Sequence, residues 1–378
     1  MGAWSHVKNT FEVCLCCKNS HLYTWRNILK ISDYLIKNNN NLDIIRLLLA
    51  SMVVYGHAPC FIDSTGYSDF FGGILHFTYS GNIAVITFFM ISGLLVSNSL
   101  FSKKNWKVYL LSRVFRLLPG LIFLSVCTVI ICGWFSEKNP LEYIQGGVTY
   151  ICKNAMLNIQ YVISDVSFLR DNHPMNGKYA NTVNGSLWTI PLEFKMYLLM
   201  LGIWFISRDI KNDFIIPICL CIGIFYPLMV KESVLGSPDT LYMIPAFFLG
   251  SLLSYYKDRI CLNIYFPITL IMISYLIKHE AFSHWCLMLG MTLFFVWLAG
   301  CRCVRKYRLP HDISYGVYLW GWPIEQLVGY FMPWLNYYVF ILISLACTFF
   351  VAYISCVFVE EPSLKCGKKI CQYISNGD

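Results

Sequence analysis

Ten apolar runs, most of them close to the roughly 20 residues that a helix needs to cross a bilayer, make up most of this chain. They fall at about 44–62, 80–101, 110–134, 187–207, 214–231, 241–256, 262–277, 284–300, 313–331 and 336–359, with the sixth and seventh short. Hydrocarbon offers no hydrogen-bond partner to a peptide group, so runs of this kind must be helices that satisfy their own backbone. The expected fold is all-α: a polytopic membrane protein built as a bundle of about ten transmembrane helices. Composition supports this, with 57% hydrophobic and only 13% charged residues against roughly 25% charged in a soluble domain.

A net charge of +8 can signal nucleic acid, but that needs Lys and Arg clustered on one solvated face. Here they sit in short segments between apolar runs, so no nucleic-acid partner is expected and topology is the better explanation. With the N-terminus in the cytoplasm, 22 of the 29 Lys and Arg fall in inner segments or adjoining helix starts, six fall outside and Lys195 lies within a span. By the positive-inside rule both termini are cytoplasmic. Residues 1–41 form an N-terminal cytoplasmic tail, 42–360 the transmembrane domain, and 361–378 a C-terminal cytoplasmic tail. The first 41 residues are polar and basic with no early apolar region, so the first span itself is expected to target the chain. One long outer segment, about 135–186, carries an amphipathic stretch around 141–163, and a loop of this length is usually functional or disordered. The 17 cysteines, Cys14, Cys16 and Cys17 included, show no metal-ligand spacing. Free thiols and no metal are expected.

Several spans carry groups that are costly in lipid. The first contains Asp43, Arg46 and His57, and on a helix Arg46, Ala50, Val53 and His57 share one stripe, with the arginine and histidine roughly 16 Å apart. Ionisable residues inside a span face the bundle interior and mark function by default. Glu193 lies about six residues below the outer end of the fourth run, a depth like that of His57. The two are therefore candidates for an acid/base pair in which the carboxylate orients the ring, the alternative being a structural hydrogen bond between helices. Pro59 and Pro191 flank them and are expected to kink their helices. In the third run Arg113 and Arg116 share a face at the inner surface, level with Arg46. Three arginines there suit a polyanionic cytosolic ligand such as a nucleotide-bearing cofactor, although arginines at an inner helix end also serve as snorkelling anchors. Ser92-Gly93 reads as close helix packing. Lys195 needs a partner, with Glu193 and Glu325 as candidates.

The ordered set of Asp43, Arg46 and His57, then Phe88-Phe89-x-x-Ser92-Gly93-x-Leu95, Arg113-x-x-Arg116, Gly185-Ser-Leu-Trp188-x-x-Pro191-x-Glu193 and Ser314-Tyr-Gly-x-Tyr318-Leu-Trp320 resembles the acyltransferase-3 family of bacterial integral-membrane acyltransferases. The resemblance covers about residues 42–360. It implies transfer of an acyl group, usually acetyl from cytosolic acetyl-CoA, to a sugar hydroxyl of a surface or lipid-linked polysaccharide such as O-antigen or capsule. It implies a multi-pass protein of the bacterial inner membrane, with His57 as the essential histidine, Glu193 as its acidic companion, and Arg113 and Arg116, beside Arg46, near the donor. The chain departs from the family at Gly321, where a polar residue is common, and at Lys195. Intramembrane His, Glu and Lys also mark transporters of anionic or lipid-linked solutes, but no internal repeat supports that reading. The same chemistry on peptidoglycan, or with a longer acyl donor, is a nearer alternative.

Overall fold

The structure, a computed structural model, describes residues 29–36, 40–62, 67, 69–75, 78–168, 181–210, 214–229, 240–277 and 280–377. In chain order its helices are α1 (Ile31–Tyr34), α2 (Leu42–His57), α3 (Phe70–Leu75), α4 (Ser80–Lys103), α5 (Trp106–Cys132), α6 (Pro140–Ala155), α7 (Thr189–Ile210) and α8 (Ile215–Met229). They continue with α9 (Thr240–Tyr255), α10 (Tyr265–Leu276), α11 (Glu280–Ala299), α12 (Arg302–Arg305), α13 (Ser314–Phe331), α14 (Tyr337–Ser355) and α15 (Glu361–Gly377). Each of the ten apolar runs is a helix: α2, α4, α5, α7, α8, α9, α10, α11, α13 and α14. Among the described residues, six helical stretches are long and apolar enough to cross a membrane, and α8, α9 and α10 are shorter apolar helices. The fold is thus an all-α bundle of membrane type. A two-residue antiparallel pairing, β1 (Leu29–Lys30) with β2 (Cys261–Leu262), ties the segment before α2 to the chain between α9 and α10. The Cys14–Cys17 cluster and residues 169–180 of the outer segment lie outside the described residues.

Local chemistry sets the start of α2, which carries Arg46 and His57. Asn41 accepts from the Ile44 amide as an N-cap while its own amide donates to the Val304 carbonyl 2.9 Å away, so the cap also docks the helix against the α12 segment. A cap of this kind contributes about 1 kcal/mol.

The core is organised on α4, which packs most closely on α9 and α2. The α4–α9 contact is one of bare backbones: a Cβ on Gly93 would stand 2.0 Å from the Phe247 carbonyl oxygen, and one on Gly250 2.0 Å from that of Met90. Ser97 then donates to Ser251 across the seam at 2.8 Å. In lipid the hydrophobic effect does not hold helices together, so close packing of small residues must. Gly93→Val is expected to destabilise the bundle by at least 1–3 kcal/mol (roughly the cost of overpacking), read as a lower Tm in detergent. Gly202→Ala, where nothing lies within 4 Å of the added carbon, should leave Tm unchanged.

The amphipathic stretch of the long segment 135–186 is α6, which ends at Ala155 rather than 163. Gly147, Tyr150 and Asn154 are buried, with Gly147 against Val129 of α5, while Leu141, Ile144 and Val148 form an exposed apolar stripe of the kind that lies in a membrane interface. Asp165 ties this segment back to α5, accepting from the Ser136 hydroxyl at 2.6 Å and the Glu137 amide at 2.8 Å. The Ser136 hydrogen bond is the main cause of its carboxyl being held down at about 2.

Candidate active site

Arg46 from α2, Ser92 from α4, Arg113 and Arg116 from α5, and Glu193 and Tyr197 from α7 surround a cavity of about 120 Å³. The arginines are organised by a residue that precedes α13. Asp312 accepts from Arg46 and from Arg116, each at 3.1 Å, while its other oxygen accepts from the Ser314 hydroxyl at 2.6 Å and amide at 3.3 Å. Asp43 adds a second ion pair to Arg46 from one turn away on α2. Burial alone would push the Asp312 carboxyl up, but Arg46, Arg116 and the Ser314 hydrogen bonds outweigh it and hold the group well below the usual carboxylate range. Arg116 also stands 5.6 Å from the centre of the Tyr315 ring and Arg113 5.9 Å from that of Tyr197, a cation–π arrangement that fixes the planes of both guanidinium groups.

Beside Arg113, Glu193 accepts from the Ser92 hydroxyl at 2.9 Å and from the Tyr197 hydroxyl. Ser92 and Tyr197 lie 3.0 Å apart, and the Tyr109 hydroxyl donates to the Tyr197 carbonyl at 3.0 Å. One carboxylate thus anchors two hydroxyls from two helices.

His57 occupies a different chamber. At the last position of α2 it lines a cavity of about 20 Å³ with Tyr79, Asn82, Ser186, Trp188 and Tyr318, which has room for about one water. Its ring meets that of Trp322 edge-on, centroids 5.0 Å apart, and its buried Nδ1 has no hydrogen-bond partner. Val85 and Tyr318 line both cavities and so stand between them. The Tyr318 hydroxyl is held there, donating to the Ser186 carbonyl at 2.7 Å and bonding the Thr189 hydroxyl.

The structure brings Arg46, Arg113 and Arg116 together with Glu193, and it does not bring Glu193 to His57. The expected depth of Glu193 assumed that the fourth run enters at the outer surface where its apolar residues begin. In fact the chain is already inside the bundle at Asn184, which is buried and donates to the Leu319 carbonyl at 3.0 Å, while Thr182 accepts from Trp322 and Gln326. A 3-10 turn over Gly185–Trp188 precedes α7, so Ser186 rather than Glu193 shares the chamber of His57. Ser92, the partner of Glu193, lies ten residues along α4 from Asn82 in the His57 chamber, about 15 Å on a helix.

Lys195 pairs with neither proposed partner. Two residues on from Glu193 it projects from the other side of α7 and is exposed, while Glu325 is fully buried in α13 with both carboxyl oxygens unpartnered. The two prolines produce no interior kink: Pro59 sits in the 3-10 turn Ala58–Cys60 that ends α2, and Pro191 in the first turn of α7, where amide groups have no intrahelical acceptor to lose. Gly93 packs closely, as its sequence context indicates, but Ser92 faces the cavity. Gly321 allows α13 to approach α2, since a Cβ there would lie 2.8 Å from Val54. Asp312 is the site residue that sequence reasoning missed. Its signal was an acidic group two residues before Ser314 at the head of an apolar run, a helix-start pattern.

Comparison with known proteins places the chain in a family. An acyltransferase-domain family, acyltransferase 3, matches residues 39–360. An O-acetyl transferase of Shigella phage Sf6 is 26% identical over 341 residues, covering 86% of this chain and 96% of its own length. Nodulation protein 10 of Rhizobium leguminosarum bv. viciae is 27% identical over 179 residues, 44% of this chain and 45% of that protein. No solved structure matches. Because the family match runs from the cap of α2 to the end of the last apolar run, it rests on the whole bundle and not on one motif: the chain belongs to the acyltransferase-3 family and is a membrane O-acyltransferase.

Proposed function

We propose that the protein moves acetyl from cytosolic acetyl-CoA to a sugar hydroxyl of a surface or lipid-linked polysaccharide, in the inner membrane of a bacterium with both termini in the cytoplasm. The observation that carries this reading is a single helix, α2, with Arg46 at an arginine-lined cavity and His57 roughly 16 Å further along in a second chamber, with Val85 and Tyr318 alone among the described residues lining both. An arginine cluster suits the phosphates of a nucleotide-bearing donor. A 120 Å³ cavity is too small for the nucleotide and suits the narrow thioester arm, with the phosphates at its mouth. His57 then takes the proton of the sugar hydroxyl as that oxygen attacks the thioester carbonyl, the carbon–sulfur bond breaks, and the departing thiolate takes that proton back from His57. A chamber with room for one water admits neither a sugar nor the thioester until its side chains move, and Tyr318 is the residue that must yield.

In this reading Glu193 is a positioning residue on the donor side, holding Ser92 and Tyr197 against the arm. Glu193→Gln keeps the shape and weakens both hydrogen bonds, and it is expected to raise the donor KM about tenfold, the worth of roughly one charge-assisted hydrogen bond. A kcat loss with unchanged KM would return Glu193 to the acid/base role. The function itself is tested by mass spectrometry and NMR of surface polysaccharide from cells with and without the chain. The expected difference is one base-labile acetyl ester on an otherwise intact polymer; loss of the polymer, or of solute uptake, would point to transport instead.

A further inference from the structure

A second cavity, of about 590 Å³, opens at the same end of the bundle as the arginine cluster and, among the described residues, shares no lining residue with it. Its walls come from four helices: Phe101 and Lys104 at the end of α4, Trp204 and Arg208 near the end of α7, Ile216 of α8, and Ser254 with Lys257 at the end of α9. Glu193, Tyr197, Trp204 and Arg208 lie along one stripe of α7, so this helix serves the first cavity and then, about 10 Å further on, the second.

Three cations at helix C-termini have a simple alternative explanation, since they offset the negative ends of the helix dipoles. That explanation accounts for the charges alone. It leaves unexplained why the helix ends splay around a large cavity. It also leaves unexplained why Ser254, 2% exposed, stands in the wall of that cavity with an enclosed hydroxyl that has no hydrogen-bond partner and that a side-chain rotation would be needed to present. A buried hydroxyl without a partner costs free energy unless a bound group satisfies it. Two of the cations are also held in place: Lys257 Nζ donates to Asn98 at 2.9 Å, and the Arg208 guanidinium lies 5.6 Å from the Trp204 ring.

We propose that Lys104, Arg208 and Lys257 form a second anion site that takes a phosphate group, with Ser254 donating from its floor and the Trp204 ring as a wall. The site does not depend on the acyl-transfer reading. A phosphate group reaches it either free in solution or as the headgroup of an anionic lipid, and the two sources separate by experiment. The full-length protein in neutral detergent is titrated calorimetrically with inorganic phosphate, and in nanodiscs of phosphatidylglycerol or of phosphatidylcholine its retained lipids are counted by native mass spectrometry. Arg208→Gln replaces an exposed side chain and should fold normally, and Ser254→Ala, which removes only the hydroxyl, is the second variant. At least tenfold weaker phosphate binding in both variants supports a soluble ligand. Loss of one tightly retained phosphatidylglycerol, with phosphatidylcholine unaffected, supports a lipid headgroup. Unchanged phosphate affinity and unchanged lipid count in both variants would overturn the proposal. Acetyl transfer is measured in parallel, and its failure in the wild type would bear on the reaction, not on this site.

Discussion

His57→Ala is expected to lower acyl transfer about 10³-fold, the usual contribution of a positioned general base, while leaving the bundle folded. The fold should tolerate the change because the wild-type ring is an expensive occupant: its Nδ1 is buried with no partner, and an unsatisfied buried polar group costs about 1–3 kcal/mol. That cost offsets part of what is lost when the contact with Trp322 goes. Tm in detergent should therefore shift little, and His57→Gln, which fills more of the space, should be as inactive as the alanine variant. The measurement is transfer of labelled acetyl from donor to a base-labile ester in isolated membranes. Retention of more than a tenth of wild-type activity in both variants would remove His57 from the chemistry. With no acceptor present, rapid quench after mixing with labelled donor separates the two routes open to a histidine: label on His57 would show an acyl-enzyme, and its absence direct attack by the hydroxyl.

The second large effect is expected at Asp312. Asp312→Asn removes the negative charge shared by Arg46 and Arg116, leaving two guanidinium groups close together. Each is about a fifth exposed, so the loss should fall at the lower end of the range for breaking a buried pair, about 3 kcal/mol, and should appear as a clear drop in Tm. The donor KM should rise as well, because Arg46 and Arg116 lose the group that aims them. Arg116→Gln in the same background should cost much less than it does alone, since the two residues act through one network. The pH dependence has a definite sign. A carboxyl held below its ordinary range contributes stability that is fully present above that range and is lost as pH falls through the depressed value. The Asp312→Asn deficit should therefore persist from pH 8 down to pH 5, and a deficit that disappeared within that window would contradict the assignment.

How much of this was legible in the residues differs from element to element. The ten apolar helices stood out because a peptide in lipid has few choices, and each run became a helix with ends within a few residues of its apolar limits. The arginine cluster was also legible: Arg113 and Arg116 share a face by spacing alone, and Arg46 begins the first span as they begin the third. The pairing of His57 with Glu193 was not. It rested on depth, and depth was counted from the first apolar residue, whereas the polar segment around Asn184 is drawn inside by hydrogen bonds to α13. Lys195 was misjudged for a related reason, since a charge in a span needs a buried partner only if it faces inward, and it does not.

Hydrophobic length and helical periodicity are properties of a single segment, so the residues alone specify an all-α membrane-type bundle, the helices that compose it and the ionisable residues it must accommodate. Which of those residues meet depends on how the helices pack. Glu193 joins the arginines, His57 stands apart behind Tyr318, and Asp312 clamps two helices from outside the spans, because the axial register of one helix against another is set by close backbone packing, as at Gly93 and Gly321, and by hydrogen bonds between segments far apart in the chain. No single segment carries either.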